Sequence, residues 1–377
     1  MRILVAPDKF KGSLTANEVC LAVENGVHLI DSSIEVIKHP LADGGEGTLE
    51  ILQNYFKLET ISVLVKNPLF KDITASYKIS KNTAYIEMSN ASGLQLLEKN
   101  EQNCFYTTTF GTGELILDAI KRGFKNIILF IGGSATNDAG IGMAAALGYE
   151  FCNSKGEKIS PIGKELLNIA EIKRNHLKID VNTINFTVVC DVKNPLFGIN
   201  GAAYTYGSQK GASTQEIELL DQGLQNFSNK VEKYLHTSVS TIKGAGAAGG
   251  LGAGAVCFLN ATIKSGIDFV IEQTRLKEHL KKGIDLIITG EGSVDKQTIH
   301  GKVIKGISDI AQENNIPFYI ISGIAKDREL VEENLKPSAI STIVDLNVPV
   351  EEAVKNADFY VSLITSNIIK SIKKANK

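Results

Sequence analysis

The chain has 377 residues, enough for two domains of ordinary size. Hydrophobic residues make up 43% and charged residues 22% of the sequence, which excludes a disordered chain. With 40 basic and 42 acidic side chains the net charge is -2, so the sequence carries no overall positive charge that would bind nucleic acid or an anionic membrane.

The five cysteines are scattered and form no CxxC pair. This spacing favours reduced thiols in a cytoplasmic protein over a disulfide framework or a zinc site. The apolar run at the start of the chain is too short for a signal peptide, and no later run approaches the length of a membrane span. We therefore expect a cytoplasmic protein without a membrane partner.

Short apolar segments alternate with glycine-containing loops and helical patterns along the chain. Thr15 and Glu18 form a predicted capping box at the start of the first helix. In chain order, the pattern predicts strands at residues 3–6, within 75–86, and at 127–131, 186–190, 286–289 and 318–321, and helices after Thr15, at 49–56, at 115–120 and at 303–310. This alternation predicts an α/β protein with a largely parallel sheet.

The alternation is cleanest at the two ends of the chain, whereas the middle has longer irregular stretches. We therefore predict a discontinuous, doubly wound, Rossmann-like domain formed by residues 1–62 and 283–377. Residues 63–282 would be inserted as a second α/β domain.

Two loops near the N-terminus contain candidate binding groups. Lys9 and Lys11 lie between the first strand and the first helix, where free amides and the helix dipole attract anions. The alternative is an ordinary turn with solvated lysines. Asp43 and Glu46 share the glycine-rich loop 42–48. Two carboxylates in one tight loop could bind a cation or transfer a proton, and helix capping is the alternative.

Two further glycine loops offer backbone amides to a ligand. The loop 132–140 follows an apolar strand, the position at which open α/β sheets bind ligands. The loop 244–254 contains a GxGxxG match, but residues 238–243 before it make a poor strand and Asp268 is misplaced for the dinucleotide fingerprint. Phosphate binding by this loop and close helix–sheet packing both remain open.

The loop 289–298 is the most specific local signal in the sequence. Glu291, Asp295 and nearby lysines, including Lys302, crowd a predicted strand-to-helix turn, and capping alone explains so many complementary polar groups poorly. Asp191 also stands out, because it leaves an apolar strand just before an Asn-Pro turn. The sequence has no P-loop, no protein-kinase motif set, no HExxH and no GxSxG.

Taken together and in this order, these loops resemble the type-1 glycerate kinase family. The resemblance covers nearly the whole chain, in nine ordered blocks at residues 6–14, 42–47, 107–114, 132–138, 190–196, 209–212, 244–250, 264–266 and 290–295. It implies an ATP:glycerate phosphotransferase with a two-domain α/β fold, a cleft between the domains, and phosphorylation of the 2-hydroxyl. Its partners would be glycerate and ATP, with the protein a monomer or a homodimer.

Phosphoryl transfer needs positioning, charge stabilisation and Mg²⁺ with ATP. For catalysis, the candidate residues are Asp191, Asp295, Lys9 and Asp43. We expect Glu291 and Asp295 to hold the metal and Asp191 to accept the hydroxyl proton, because burial without a neighbouring acid would raise its pKa. The candidate nucleotide-binding residues are Gly132, Gly133, Ser134, Thr136, Asn137, Gly244, Gly246, Gly249 and Lys302.

Three alternatives stay open at this point. Another small hydroxy acid could be the acceptor, because the shape of the pocket cannot be read from the sequence. The GxGxxG match allows an NAD-dependent dehydrogenase, although the poor strand before Gly244 argues against it. A non-catalytic anion-binding protein is the third alternative, and the acids at residues 291–295 argue against it.

Overall fold

The computed structural model describes residues 1–45, 47–174, 180–300 and 302–375. The chain divides into two compact units: unit 1 joins Met1–Tyr55 to Ser265–Lys377, and unit 2 is Phe56–Lys264. Both units combine β-sheet with helices, so the predicted α/β class is confirmed. No helix within the described ranges has both the length and the hydropathy that a membrane crossing requires.

The N-terminal segment supplies the first elements of unit 1. They are β1 (Arg2–Val5), α1 (Ala16–His28), β2 (Glu35–Lys38) and α2 (Thr48–Leu52). The predicted capping box is confirmed, since the Thr15 side chain accepts from the Glu18 amide and the Glu18 side chain accepts from the Thr15 amide. The second helix is shorter than predicted and ends at Leu52.

Unit 2 contains a sheet that is parallel in one half and antiparallel in the other. Its elements are β3 (Glu59–Lys66), β4 (Asp72–Ser80), β5 (Thr83–Glu87), α3 (Ser89–Ser92), α4 (Phe110–Lys121), β6 (Asn126–Phe130), α5 (Ile141–Ala146), β7 (Glu150–Cys152), β8 (Glu171–Lys173), β9 (Asn185–Val189), α6 (Ala202–Tyr206), α7 (Thr214–Leu235), α8 (Ala247–Leu259) and β10 (Thr262–Lys264). The strand order is β10-β9-β6-β5-β4-β3, with β5, β6, β9 and β10 parallel. Strands β7 and β8 form a separate antiparallel pair.

The C-terminal segment completes unit 1. Its elements are α9 (Gly266–Gln273), α10 (Leu276–Leu280), β11 (Leu286–Val294), α11 (Val303–Glu313), β12 (Phe318–Ala325), α12 (Arg328–Leu335), β13 (Ala339–Thr342), α13 (Val350–Lys355) and α14 (Ala357–Ala375). Strand β11 extends through the glycines at 290 and 292, so the prediction of a loop from residue 290 onward was wrong. These residues stay extended because their backbone pairs with β12 as far as Val294.

The sheet of unit 1 is entirely parallel, in the order β13-β12-β11-β1-β2. When the five strands of unit 1 are numbered in chain order, they follow one another across the sheet as 2-1-3-4-5. This is the flavodoxin-like doubly wound order, whereas the Rossmann order begins 3-2-1. The point where the strand order reverses lies between β1 and β11. Ligands of such sheets bind outside the carboxyl ends of the strands at that point.

Helices α1 and α14 cover one face of this sheet. Val19 and Val23 of α1 and Val361 and Ile364 of α14 are buried in one cluster with the strand residues. The two helices approach closely at Gly26, where an added Cβ would lie 2.3 Å from the Ser362 carbonyl oxygen. Only glycine fits at this contact without moving one of the helices.

Replacing Gly26 with Ala should therefore destabilise unit 1. The added methyl group would also lie 2.7 Å from Thr365 Cβ, and overpacking of this kind costs about 1–3 kcal/mol. Urea unfolding measures the loss, with Asn25→Ala at an exposed position of the same helix as the control. A Gly26→Ala variant as stable as the control would contradict this account of the helix contact.

Candidate functional site

The carboxyl edge of the unit 1 sheet carries a cavity of about 410 Å³. The backbone pairing of β1 with β11 continues past the end of β1, since the Asp8 amide donates to the Gly290 carbonyl at 2.8 Å. The polar residues that line the cavity are Asp8, Lys9, Lys11, Ser13, Asp43, Glu291, Ser293, Asp295 and Lys302. The structure thus brings together the predicted residues Lys9, Asp43, Glu291, Asp295 and Lys302.

Glu291 is the most buried of these acids, with 6% of its surface exposed. Burial raises its pKa, and a hydrogen bond donated by Thr298 Oγ1 partly opposes that rise. Ser293 lies two residues further along the same strand, so its side chain is on the same face of the sheet as Glu291. Ser293 Oγ is a buried atom with no hydrogen-bond partner among the described residues, which leaves it available to a ligand.

Asp8 is half-buried and lies three residues after Val5, the last residue of β1. Removal from water, followed by repulsion from Asp43, raises the pKa of Asp8 to about 7, although its carboxylate accepts a 2.7 Å hydrogen bond from the Lys9 amide. A carboxyl group with a pKa near neutrality can both accept and release a proton. From the sequence, the loop that contains Asp8 was predicted to bind anions through Lys9 and Lys11, and Asp8 itself was not singled out. The signal that selected Asp191, an acid leaving a buried strand, applies equally to it.

The other two acids each shape the loop that carries them. Asp43 accepts a hydrogen bond from the Gly45 amide at 2.9 Å, and Asp295 accepts one from the Gln297 amide at 2.8 Å. Lys9 lies close to the loop that carries Asp43, since a Cβ built on Gly47 of that loop would be 3.4 Å from Lys9 Nζ. Each of these carboxylates keeps further oxygen lone pairs for a ligand. Glu46, in the same loop, lies outside the described residues.

Unit 2 has its own polar loop, which follows β6. Lys210 is 5% exposed and donates to Ser134 Oγ at 2.6 Å and to the Thr136 carbonyl at 2.9 Å. Burial lowers the pKa of Lys210 to about 8. Within the described part of the chain no carboxylate forms an ion pair with Lys210, and its hydrogen bonds go to neutral groups, while the nearby Cys104 and Asp138 partly oppose the fall in its pKa. Residues 209–212 entered the sequence analysis only through the family resemblance, since no local pattern marks Lys210.

Next to Lys210, the loop contains buried polar atoms without partners. Thr136 Oγ1 and both amide atoms of Asn137 form no hydrogen bond with any described residue. Asn137 therefore leaves an acceptor and two donors unpaired whichever way its amide is turned. Asp138 differs, because it accepts from the Thr109 amide and hydroxyl and from the amides of Gly140 and Gly142. Its burial raises its pKa, and its contacts give it a structural role.

Asp191 and the exposed Gly132–Gly133 pair lie at one edge of the unit 2 sheet. Strands β6 and β9 are parallel, with Phe130 opposite Val189, so the two loops leave the sheet at the same level. Asp191 is half-buried, two residues beyond the end of β9. The structure therefore places the Asp191 and 132–133 loops side by side within unit 2.

The glycines of the predicted loop 244–254 are packed against backbone. A Cβ on Gly246 would lie 2.1 Å from the Pro195 carbonyl oxygen, and one on Gly249 would lie 2.1 Å from that of Thr136. Gly244 has a φ of +84°, a backbone conformation that favours glycine over other residues. These contacts account for the glycines without a ligand, so their part in phosphate binding stays a prediction.

No strand precedes this segment within the described residues 236–246, so the GxGxxG match lacks the strand that the dinucleotide fingerprint needs.

Comparison with known proteins gives a consistent result. The family model for the glycerate kinase family matches residues 3–373. A Bacillus cereus protein named glycerate kinase is 41% identical over 98% of this chain and 97% of its own length. An Escherichia coli protein named glycerate 2-kinase is 40% identical over the same shares of the two chains. The crystal structure of a candidate glycerate kinase 2 from Salmonella typhimurium LT2 superposes with a TM-score of 0.84 and 38% identity, covering 100% of this chain and 99% of that one.

Replacing Asp8 with Asn should raise stability at neutral pH. Because the folded protein raises the pKa of Asp8 from 3.8 to about 7, the neutral carboxyl favours folding. That stabilisation is complete below pH 3.8 and is lost as the pH rises through 7. The free energy of unfolding of the wild type should therefore fall relative to Asp8→Asn by up to about 1.4 kcal/mol per pH unit in this window.

Urea unfolding in metal-free buffer across this pH range measures the difference between the two proteins. A difference that stays constant with pH would contradict the raised pKa of Asp8.

Proposed function

The chain belongs to the glycerate kinase family, and from that membership we propose that it transfers the γ-phosphoryl group of ATP to the 2-hydroxyl of glycerate. The choice of the 2-hydroxyl rests on the relative named glycerate 2-kinase. The observation that supports the activity most directly is the unit 1 cavity, in which carboxylates and lysines meet at the switch point of a doubly wound sheet. A cytoplasmic location and a monomer or homodimer stay predictions.

The lysines of this cavity suit the charge of the transferred group. Lys9, Lys11 and Lys302 line it together and would bind phosphate oxygens or the glycerate carboxylate. The exposed backbone of Gly132 and Gly133 in unit 2 stays a candidate for phosphate contacts. Ser134 already accepts a hydrogen bond from Lys210, so its hydroxyl retains only part of its capacity for a nucleotide.

The acids of the cavity fit a hydrated Mg²⁺ that arrives with ATP. In the described part of the chain, no three His, Cys, Asp or Glu side chains form a ready-made metal cage. Mg²⁺ does not require one, since it keeps several waters and takes one or two carboxylates together with substrate phosphates. Glu291 and Asp295 would supply those carboxylates, and the bound ion would offset the charge that develops on the transferred phosphoryl group.

Proton transfer from the glycerate hydroxyl needs a carboxylate that is ionised near neutral pH. Asp191 was predicted for this role and keeps it as a hypothesis. Asp8 is a second candidate, because its pKa of about 7 suits a general base and it lies in the cavity with the lysines. Burial holds that pKa high, and charge repulsion from Asp43 adds to the effect.

The pure protein should release ADP when it is mixed with Mg·ATP and glycerate. Phosphorus NMR of the product should show 2-phosphoglycerate, and excess EDTA should abolish turnover because ATP then lacks its metal. A panel of other small hydroxy acids is the control. Turnover with another acid but not with glycerate would refute the named acceptor, and full activity in EDTA would refute the metal requirement.

Asparagine variants should separate the roles of the aspartates. Asp295→Asn should raise the Mg²⁺ concentration needed for half-maximal activity, because one oxygen ligand loses its charge. Asp191→Asn should lower kcat and leave that concentration unchanged, if Asp191 accepts the proton. Asp8→Asn is measured beside them, and a loss of kcat in this variant alone would transfer the base role from Asp191 to Asp8. Wild-type values for both Asp191→Asn and Asp295→Asn would refute both assignments.

A further inference from the structure

The cavity of unit 1 has two walls of different chemistry. One wall carries the lysines and carboxylates described above. The other is aliphatic and is formed by Ile324, Val344, Val350 and Val354. We call this second set the aliphatic wall. Phosphate groups, Mg²⁺ and carboxylates would all bind to the polar wall, so none of them accounts for the aliphatic wall.

The aliphatic wall is open to solvent. Val350 is 69% exposed, Val354 is 47% exposed and Ile324 is 38% exposed. Single exposed aliphatic side chains are common, but several that line one cavity mark a binding site. Val350, Ala353 and Val354 lie at i, i+3 and i+4 on one face of α13 and all line the cavity, with Ala353 buried and the two valines exposed.

The wall is held in a fixed position relative to the polar groups. Ser13 Oγ, in the loop that carries Lys9 and Lys11, donates to the Val354 carbonyl at 2.7 Å. Ile324 of β12 lies directly opposite Ser293 of β11, so the aliphatic side chain and the unpartnered hydroxyl are neighbours on one face of the sheet. The two halves of the cavity are thus parts of one preformed surface.

The chemistry of the two substrates decides which of them covers this wall. Every carbon of glycerate carries oxygen, so glycerate has little apolar surface to place against the four aliphatic side chains. ATP has both parts that the cavity requires, a triphosphate for the lysines and a purine nucleoside with apolar faces. Covering the exposed valines with the purine would remove apolar surface of both partners from water.

We propose that the aliphatic wall is the nucleoside subsite, with the purine and ribose of ATP packed on Val350, Val354, Val344 and Ile324. The triphosphate then extends toward Lys9, Lys11 and Lys302 in the same cavity. This proposal rests on the proposed kinase function, because it uses ATP as the substrate with an apolar part. It assigns α13 as a nucleotide-binding helix, a role that no sequence motif indicated.

A tryptophan reporter tests the location of the nucleoside directly. The sequence contains no tryptophan, so Val350→Trp places a single tryptophan, which can be excited selectively, on the aliphatic wall. Its emission should change saturably with Mg·ADP or a non-hydrolysable ATP analogue, and glycerate alone should leave it unchanged. Leu330→Trp is the matched control, because Leu330 is exposed on α12 of the same unit and does not line the cavity.

A double variant tests the energetic contribution of the wall. Val350→Asn with Val354→Asn keeps the charge constant and removes the aliphatic contacts at two exposed positions, where folding should survive. The KM for ATP and the Kd for ADP should each rise about 10-fold or more. The Kd for inorganic tripolyphosphate, the KM for glycerate and the kcat at saturating ATP should stay within about twofold of the wild type. Leu330→Asn serves as the control here too.

Several results would overturn the proposal. One is a Val350→Trp enzyme that turns over while its emission ignores nucleotide. Another is an equal loss of affinity for ATP and tripolyphosphate in the double variant. Emission that depends on protein concentration without ligand would show that a second copy of the chain covers the wall. A different result would show that the proposed kinase function is wrong: the wild-type protein would bind nucleotide but release no ADP with glycerate.

Discussion

The parallel pairing of β1 with β11 is the constraint on which the unit 1 site depends. It joins residues far apart in the sequence, and its ladder continues to the hydrogen bond from the Asp8 amide to Gly290. Thr289 Oγ1 strengthens this junction by donating to the Ala6 carbonyl at 2.8 Å. Gly290 is required there, because an added Cβ would lie 2.0 Å from the Ile321 carbonyl oxygen. Since both strands end at one edge of the sheet, their acids share one cavity.

This arrangement places like charges together, and the electrostatic consequence is visible in the pKa values. Burial and the nearby carboxylates raise the pKa of both Asp8 and Glu291. A fold gains nothing from such a cluster, since ionised carboxylates that repel one another favour the unfolded chain. Cations relieve the repulsion, and Lys9 and Lys302 line the same cavity as the acids. The cluster therefore does not serve stability and is consistent with the binding of an anionic substrate proposed for this cavity.

The features that were predicted correctly from the sequence are those that depend on local residue patterns. The capping box at Thr15 and Glu18, the apolar strands and the residues at their ends are all local patterns, and they led to Lys9, Asp43, Glu291 and Asp295. The extension of β11 through two glycines was missed, because glycine disfavours strands locally and only the pairing with β12 keeps the segment extended. The aliphatic wall was missed because an exposed valine and a buried valine are identical in a sequence. Their exposure is set by how α13 packs on its neighbours.

The polar loop of unit 2 could also be predicted only in part from the sequence. The local sequence pattern identified Ser134, Thr136 and Asn137 as candidates. The cation beside them, Lys210, comes from a distant segment, and only the folded structure shows its contact with Ser134. The tight approach of Gly249 to the Thr136 carbonyl packs the loop backbone closely beside these unpartnered side-chain atoms. A buried polar atom left without a partner costs about 1–3 kcal/mol, which a bound ligand or water would recover. Rigid backbone packing therefore holds unpaired hydrogen-bonding groups and a buried ammonium in one loop, an arrangement suited to a ligand that carries both an anionic group and hydroxyl groups.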